Sequence, residues 1–221
     1  MSEAARAGRA DVTVLAATWM EWRAVRRALA GRQRSGVGLV RCGIAVRRWT
    51  LPAGASPVLI TCGLAGGLVG DLLPGTVVVA DSVALEGGEQ VACDPGWVRA
   101  LVAGARELGC EPAVGPLLTA RRPVVGPARG VWANRGFLAA EMETARLVPT
   151  GAPLASIRVI LDAPSREMSP EWAAPGRAAL DPRRGRELLW LARRAPGYAR
   201  LAARCLAAGL DHAPLPSASR A

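Results

Sequence analysis

Along this chain, short β-branched apolar runs alternate with amphipathic stretches. "DVTVLAAT", from Asp11, predicts a strand, and "MEWRAVRRALAGR" after it has helical spacing with Gly31 as its stop. "PVLITCGLAGGL" predicts a buried strand running into a glycine-rich turn. "GTVVVADSVAL" predicts another strand, continuous in apolar residues as a sheet covered on both faces requires. In "DPGWVRALVAGARELG", Asp94 and Pro95 mark a helix start and Gly109 its end. "FLAAEMETARLV" predicts a short strand turning into a helix, and "LASIRVILDAP" a strand stopped by Pro164. Strands alternating with helices predict an α/β fold around a mostly parallel sheet.

Near the end, Leu188, Leu191, Ala195, Tyr198, Leu201, Ala202, Cys205 and Leu206 follow helical spacing, with a break at Pro196 and Gly197. They predict a pair of helices docked on the domain, with Arg193, Arg200 and Arg204 off the apolar stripe. A basic amphipathic surface of this kind also suits peripheral contact with anionic lipid. No linker divides the 221 residues, so one domain is expected over 11–212, including a helical, arginine-rich segment at 183–210. Residues 1–10 and 213–221 lack periodicity and are expected to be flexible.

Composition narrows the function classes. Apolar residues make up 51% and charged residues 21%, which fits an ordered globular chain. All 28 basic residues are arginines, and the net charge is +10. There is no zinc-finger spacing and no RNP-type aromatic pattern, and Phe and Tyr occur once each, so nucleic acid is not expected as a partner. Five cysteines, widely spaced and never in CxxC, argue for reduced thiols in the cytoplasm and against a zinc site. The single histidine, His212, lies in a polar tail, which argues against histidine chemistry. No metal and no organic cofactor are expected.

In open α/β sheets the ligand sits outside the carboxyl ends of the strands. The polar residues predicted there are Glu21, the stretch Gly63 to Gly67, Glu141 with Glu143, and Asp162. On a helix, residues 141 and 143 would point about 200° apart and could not form one acid pair. One of the two is then expected to face a ligand, and the other to start the helix near water.

The ordered set "CGLAGGL", "LLPGTVVVADSV", "AAEMETA" and "SIRVILDAP", over roughly residues 11 to 165, resembles the nucleoside phosphorylase and nucleosidase superfamily. That group includes purine nucleoside phosphorylase, methylthioadenosine nucleosidase and futalosine hydrolase. The "GLAGGL" form and the arginine-rich C-terminus are most similar to its hopanoid-biosynthesis-associated branch. The resemblance implies a twisted mixed sheet covered by helices, and cleavage of the N-glycosidic bond of a nucleoside by phosphate or water. Inorganic phosphate would be the co-substrate in the first case. It implies a 5′-substituted adenosine as substrate, extending to a lipid-linked one such as adenosylhopane, and a homo-oligomer in the cytoplasm or at the membrane periphery. A nucleoside-binding protein that kept the fold without catalysis is the alternative.

By the same resemblance Glu143 would hold the ribose 2′- and 3′-hydroxyls and Met142 would pack on the sugar. Asp162 would donate a proton to the base, and Glu21 would activate water. Gly63, Leu64, Ala65 and Gly66 would form the substrate and acceptor loop. Where phosphorylases of the group carry an arginine and a serine for phosphate, this chain has Thr61 and Leu64, which cannot pair with a dianion. Arg41, Arg47 and Arg48 are the arginines near enough in sequence to substitute. Residues 40–57 scarcely leave room for a full helix, so part of one sheet face is expected to be thinly covered.

Overall fold

The computed structural model describes residues 11–30, 36–53, 55, 57–169, 171 and 185–213. Gly31, residues 1–10 and 183–184, and the tail beyond Ala213 lie outside the described residues.

The first strand, β1 (Val12–Ala16), is buried at all five positions. It lies between β2 (Val37–Arg41) and β3 (Val58–Gly67), parallel to both. The second half of the chain adds β4 (Val77–Leu85), β5 (Gln90–Ala92), β6 (Ala113–Thr119), β7 (Ala139–Glu141) and β8 (Leu154–Asp162). The strand order is β2-β1-β3-β7-β6-β4-β5, with β8 pairing both β3 and β4. Pairs β3–β8, β4–β6 and β6–β7 are parallel, whereas β3–β7, β4–β5 and β4–β8 are antiparallel. The mixed, mostly parallel α/β sheet is as expected. Its closure through β3, β8, β4, β6 and β7 into a ring was not visible in the sequence.

Three helices cover one face: α1 (Trp19–Leu29), α2 (Pro95–Glu107) and the C-terminal helix (Gly185–His212). Alternation along the strands separates the two sides. Ile60, Cys62, Ile157 and Val159 join a core with Trp97, Leu101 and Leu206 from the helices. Leu59, Ala65, Leu154 and Ile160 face the other way, against Leu15, Leu117 and Leu147. A smaller cluster, Leu68, Ala84, Leu118, Ala120 and Phe137, closes the far end. Between α2 and β7 the chain also forms α3 (Pro127–Ala133).

Three expectations are corrected. The glycine-rich stretch is not a turn, because β3 runs on to Gly67 and its glycines pair with β8 and β7. Residues 141–143 are not helical: Glu141 ends β7, and a 3₁₀ stretch begins at Thr144. The C-terminal pair of helices is one helix, α4 (Gly185–His212), with Pro196 inside it. Proline removes one backbone donor, but α4 buries Ala195, Ala199, Ala202 and Leu206 on the domain, and that packing carries the helix through. Arg193, Arg200 and Arg204 are exposed, as the spacing predicts. Among the described residues no helix is long and apolar enough to cross a membrane.

Candidate active site

Strand β8 lays two charged side chains along one face of the sheet. Arg158 and Asp162 are four residues apart, so strand alternation puts them on the same side, on the order of 13 Å from each other along the strand. Their partners on β3 are Gly63 and Gly66, with a register shift between Ala65 and Gly66. A Cβ at Gly63 would lie 3.1 Å from Arg158 Nη1, and one at Gly66 would lie 3.0 Å from Asp162 Oδ1. Glycine thus clears β3 beneath both charged heads of β8, leaving a strip with a charged cluster at each end.

At one end, buried Arg158 gathers three acidic side chains. Nη2 donates to Glu141 Oε2 at 2.5 Å, and Nη1 lies 3.6 Å from Glu143 Oε2. Glu21 is the third acid acting on this guanidinium. Burial lowers the arginine's proton affinity, but Glu141, Glu143 and Glu21 more than offset it, and the net direction is upward. Glu141 also accepts the Thr119 hydroxyl and the backbone N–H groups of Glu143 (2.9 Å) and Thr144 (3.0 Å). It is buried and fully engaged, which corrects its expected place near water. The reason is the strand-to-turn geometry, which sends both carboxyls inward where a helix would have sent them apart.

Glu143 is 6% exposed. Its Oε1 accepts the Ala45 N–H at 3.0 Å. Burial and then the Glu141 charge push its pKa up to about 8, against the opposing pull of Arg158 and the Ala45 N–H. The Ala45 contact comes from a tight 3₁₀ turn, Ile44–Val46, in which Ala45 and Val46 both have positive φ, 57° and 56°. Positive φ is costly for valine, so the turn is held there by its surroundings.

Glu21 is buried, 5% exposed. Through Oε2 it closes a capping box with Thr18, and through Oε1 it accepts the Leu64 N–H at 2.9 Å. One carboxyl therefore ties the start of α1 to the glycine-rich part of β3. This fixes Leu64 by its backbone, while its side chain packs into the helix-covered core.

At the other end of the strip, Asp162 is 7% exposed. Its Oδ2 accepts Nη2 of Arg129 and the Met168 N–H at 2.9 Å. Burial raises its pKa, while Arg129 and the Met168 N–H pull the other way. Arg129 was not singled out in the sequence, because an arginine in "GPARGVW" carries no motif. Arg158 was missed for the same reason, although its place within an otherwise apolar strand was the available signal.

The remaining candidates spread out. Met142 is half-buried, and its carbonyl accepts Arg146 Nε at 2.9 Å. Ala65 packs in the core on the site's side of the sheet. The Thr61 hydroxyl is buried, 2.8 Å from those of Thr144 and Ser156. Arg41, Arg47 and Arg48 are exposed, and Arg41 stacks over Trp19. Where the sequence predicts thin cover, a cleft of about 610 Å³ opens, lined by Ala45, Val46, Trp49, Leu51, Arg146 and Leu147 among others. Ala45 lines this cleft and also donates to Glu143, so the cleft and the Arg158 end of the strip share one wall. Among the described residues no group of His, Cys, Asp and Glu is placed to hold a metal ion.

The model of the phosphorylase superfamily matches residues 31–175 of the chain. Among solved structures, the fold is similar to futalosine hydrolase of Helicobacter pylori (TM-score 0.70, 15% identity, covering 92% of this chain and 98% of that one). It is similar as well to a 5′-methylthioadenosine/S-adenosylhomocysteine nucleosidase of the same organism bound to butyl-thio-DADMe-Immucillin-A (TM-score 0.70, 14% identity, 91% and 98%). The corresponding nucleosidase of Neisseria meningitidis, in complex with methylthio-immucillin-A, matches with TM-score 0.68, 19% identity, and 90% and 97% coverage. No curated protein sequence matches the chain significantly.

Proposed function

Since the chain belongs to the phosphorylase superfamily, we propose that it breaks the N-glycosidic bond of a nucleoside lying along the β3–β8 strip. The observation that carries this is the pair of glycines on β3 facing Arg158 and Asp162 on β8. They leave an acidic cluster for the sugar at one end and a carboxyl for the base at the other. Glu143 takes the ribose diol through the two oxygens of its carboxyl, and its ionised form, which grows as pH rises toward about 8, stabilises the oxocarbenium character that develops as the bond lengthens. Asp162, raised in proton affinity by burial, supplies the proton to the departing base. Met142 packs beside the sugar, and the backbone from Gly63 to Gly66 lines the acceptor side.

Water is the acceptor in this reading, with Glu21 as its activating base. The guanidinium at the sugar end, Arg158, is already engaged by Glu141 and Glu143. A phosphate dianion would meet three acidic side chains there. The substrate is a purine nucleoside with a 5′ substituent, for which the cleft beside Ala45 offers room, up to a lipid-linked adenosine. The protein works as a homo-oligomer without a cofactor. On α4 four of the five exposed arginines, Arg186, Arg193, Arg200 and Arg204, fall within about 40° of one another at 100° per residue, with Arg194 off that stripe. That stripe supports contact with anionic lipid, and flotation with anionic but not neutral liposomes is expected; equal flotation with both would remove the membrane from the scheme.

The test is release of free base from adenosine, inosine, methylthioadenosine and futalosine, with and without phosphate. Release without phosphate is expected, and Asp162→Asn should lower kcat more than it raises KM. Binding of these nucleosides without any base release would favour the noncatalytic alternative.

A further inference from the structure

Helix α3 inverts the usual order of burial. Val131 is 58% exposed, while Arg129 is 2% exposed and is the buried residue of that helix. A helix docked for packing alone would bury the valine, since a guanidinium in the interior is costly until partners recover what water gave it. The partners here are specific. Nη1 donates to the Gly67 carbonyl at the end of β3, and Nη2 donates to Asp162 Oδ2. Nε lies 3.0 Å from Glu167 Oε1 without the alignment of a hydrogen bond. Glu167 in turn accepts the Gly126 N–H, at 2.8 Å, just before α3 begins. The loop after β8 and the helix before β7 are therefore clasped together over one carboxyl.

We propose that Arg129 is the positioning residue of Asp162, holding its Oδ2 so that Oδ1 is the oxygen left toward Gly66, on the side where the reading above places the base of the nucleoside. This rests on the functional reading above, in which Asp162 serves the leaving base. Oδ2 already accepts from Arg129 and Met168, whereas Oδ1 lies over the position where Gly66 lacks a side chain. The same contact sets when the carboxyl carries a proton. Burial and the Glu167 charge favour the protonated form; Arg129 and the Met168 N–H favour the ionised one. Arg129 thus keeps a buried acid able both to give up its proton to the base and to recover it.

The test follows the Asp162 carboxyl directly. In full-length protein labelled with ¹³C-aspartate, the Asp162 signal is assigned by its loss in Asp162→Asn and titrated in wild type, Arg129→Met, Arg129→Lys and Glu167→Gln. Removing the opposite charge should raise the midpoint by about one to three pH units. Arg129→Lys should restore most of the wild-type value, and Glu167→Gln should lower it. An Asp162 midpoint unmoved by Arg129→Met overturns the proposal. If that variant fails to fold, an unmoved midpoint in Glu167→Gln does the same, and a lowered one supports it. Base release by the same variants is read alongside, and Arg129→Met should lose kcat with little change in KM. A midpoint that moves without a change in kcat leaves Arg129 in its role and removes Asp162 as the proton donor. A wild type that cleaves no nucleoside defeats the functional reading, while the titration still decides the role of Arg129.

Discussion

Gly63 is the residue on which the Arg158 end of the strip depends for space. A Cβ there would fall 2.8 Å from Glu21 Cδ and 3.1 Å from Arg158 Nη1. Gly63→Ala must therefore displace Glu21, which would give up both the Leu64 N–H and its capping box. The cap alone is worth about 1 kcal/mol. The expected result is a thermal midpoint a few degrees lower together with loss of most base release; an alanine variant with wild-type turnover would show that Glu21 does not act from where it sits. Glu143 makes a prediction of a different kind. Burial and the Glu141 charge raise its pKa from the ordinary 4.5 to about 8 in the folded chain. Between those values the folded chain holds a proton that the unfolded chain has lost, so stability is greatest on the acid side and falls as pH rises through the window. Asp162, also raised, adds to the same trend. Thermal midpoints measured from pH 5 to 8 should fall with pH, and Glu143→Gln should flatten the slope; an unchanged slope would place the titrating group elsewhere.

Among the elements, those with strong periodicity were legible and those defined by tertiary contact were not. Strands β1, β4 and β8 announce themselves by β-branched runs, and α2 by Asp94 and Pro95, where Asp94 accepts the Trp97 N–H at 2.9 Å. Strand β6 was hidden by Gly115 and Pro116, because its pairing with β4 and β7 is supplied by the ring and not by its own residues. The candidate acids were legible as strand-end residues. Of their partners, Arg158 showed only as an arginine within an apolar strand, and Arg129 not at all, since what marks it is burial, which a sequence does not display. Gly104 and Gly209 show the same limit, because in sequence they only weaken two helices. In the fold they are the point where α2 and α4 touch, for a Cβ on Gly104 would lie 2.5 Å from Gly209 Cα and 2.7 Å from the Ala208 carbonyl carbon. A Cβ on Gly209 meets Leu101 at 3.0 Å, which is tighter than usual but less severe. Gly104→Ala should therefore cost about 1–3 kcal/mol through helix separation, and Gly209→Ala less. Urea unfolding with an unchanged slope should give that order, and the reverse order would mean that the contact yields on the α4 side.

For the molecule as a whole, charge separates what the surface attracts from what the site admits. The chain carries +10 overall, yet the strip gathers Glu21, Glu141, Glu143, Asp162 and Glu167 around two guanidiniums, those of Arg129 and Arg158. A basic exterior draws anions toward the protein over roughly a Debye length, about 8 Å at physiological salt. The interior reverses that preference, because a buried acid is screened far less than an exposed arginine. Anionic nucleosides should therefore reach the surface readily and be cleaved poorly. Base release from adenosine should be indifferent to phosphate in the millimolar range, and adenosine 5′-phosphate should show a kcat/KM at least tenfold lower, the change expected from about 1.4 kcal/mol of repulsion in the transition state. Raising the salt concentration should leave the adenosine rate unchanged. If phosphate accelerates base release and ribose 1-phosphate accumulates, the acidic cluster does not govern the choice of acceptor. A dianion must then find its cation on residues outside this strip, the exposed Arg41, Arg47 and Arg48 being the first to replace.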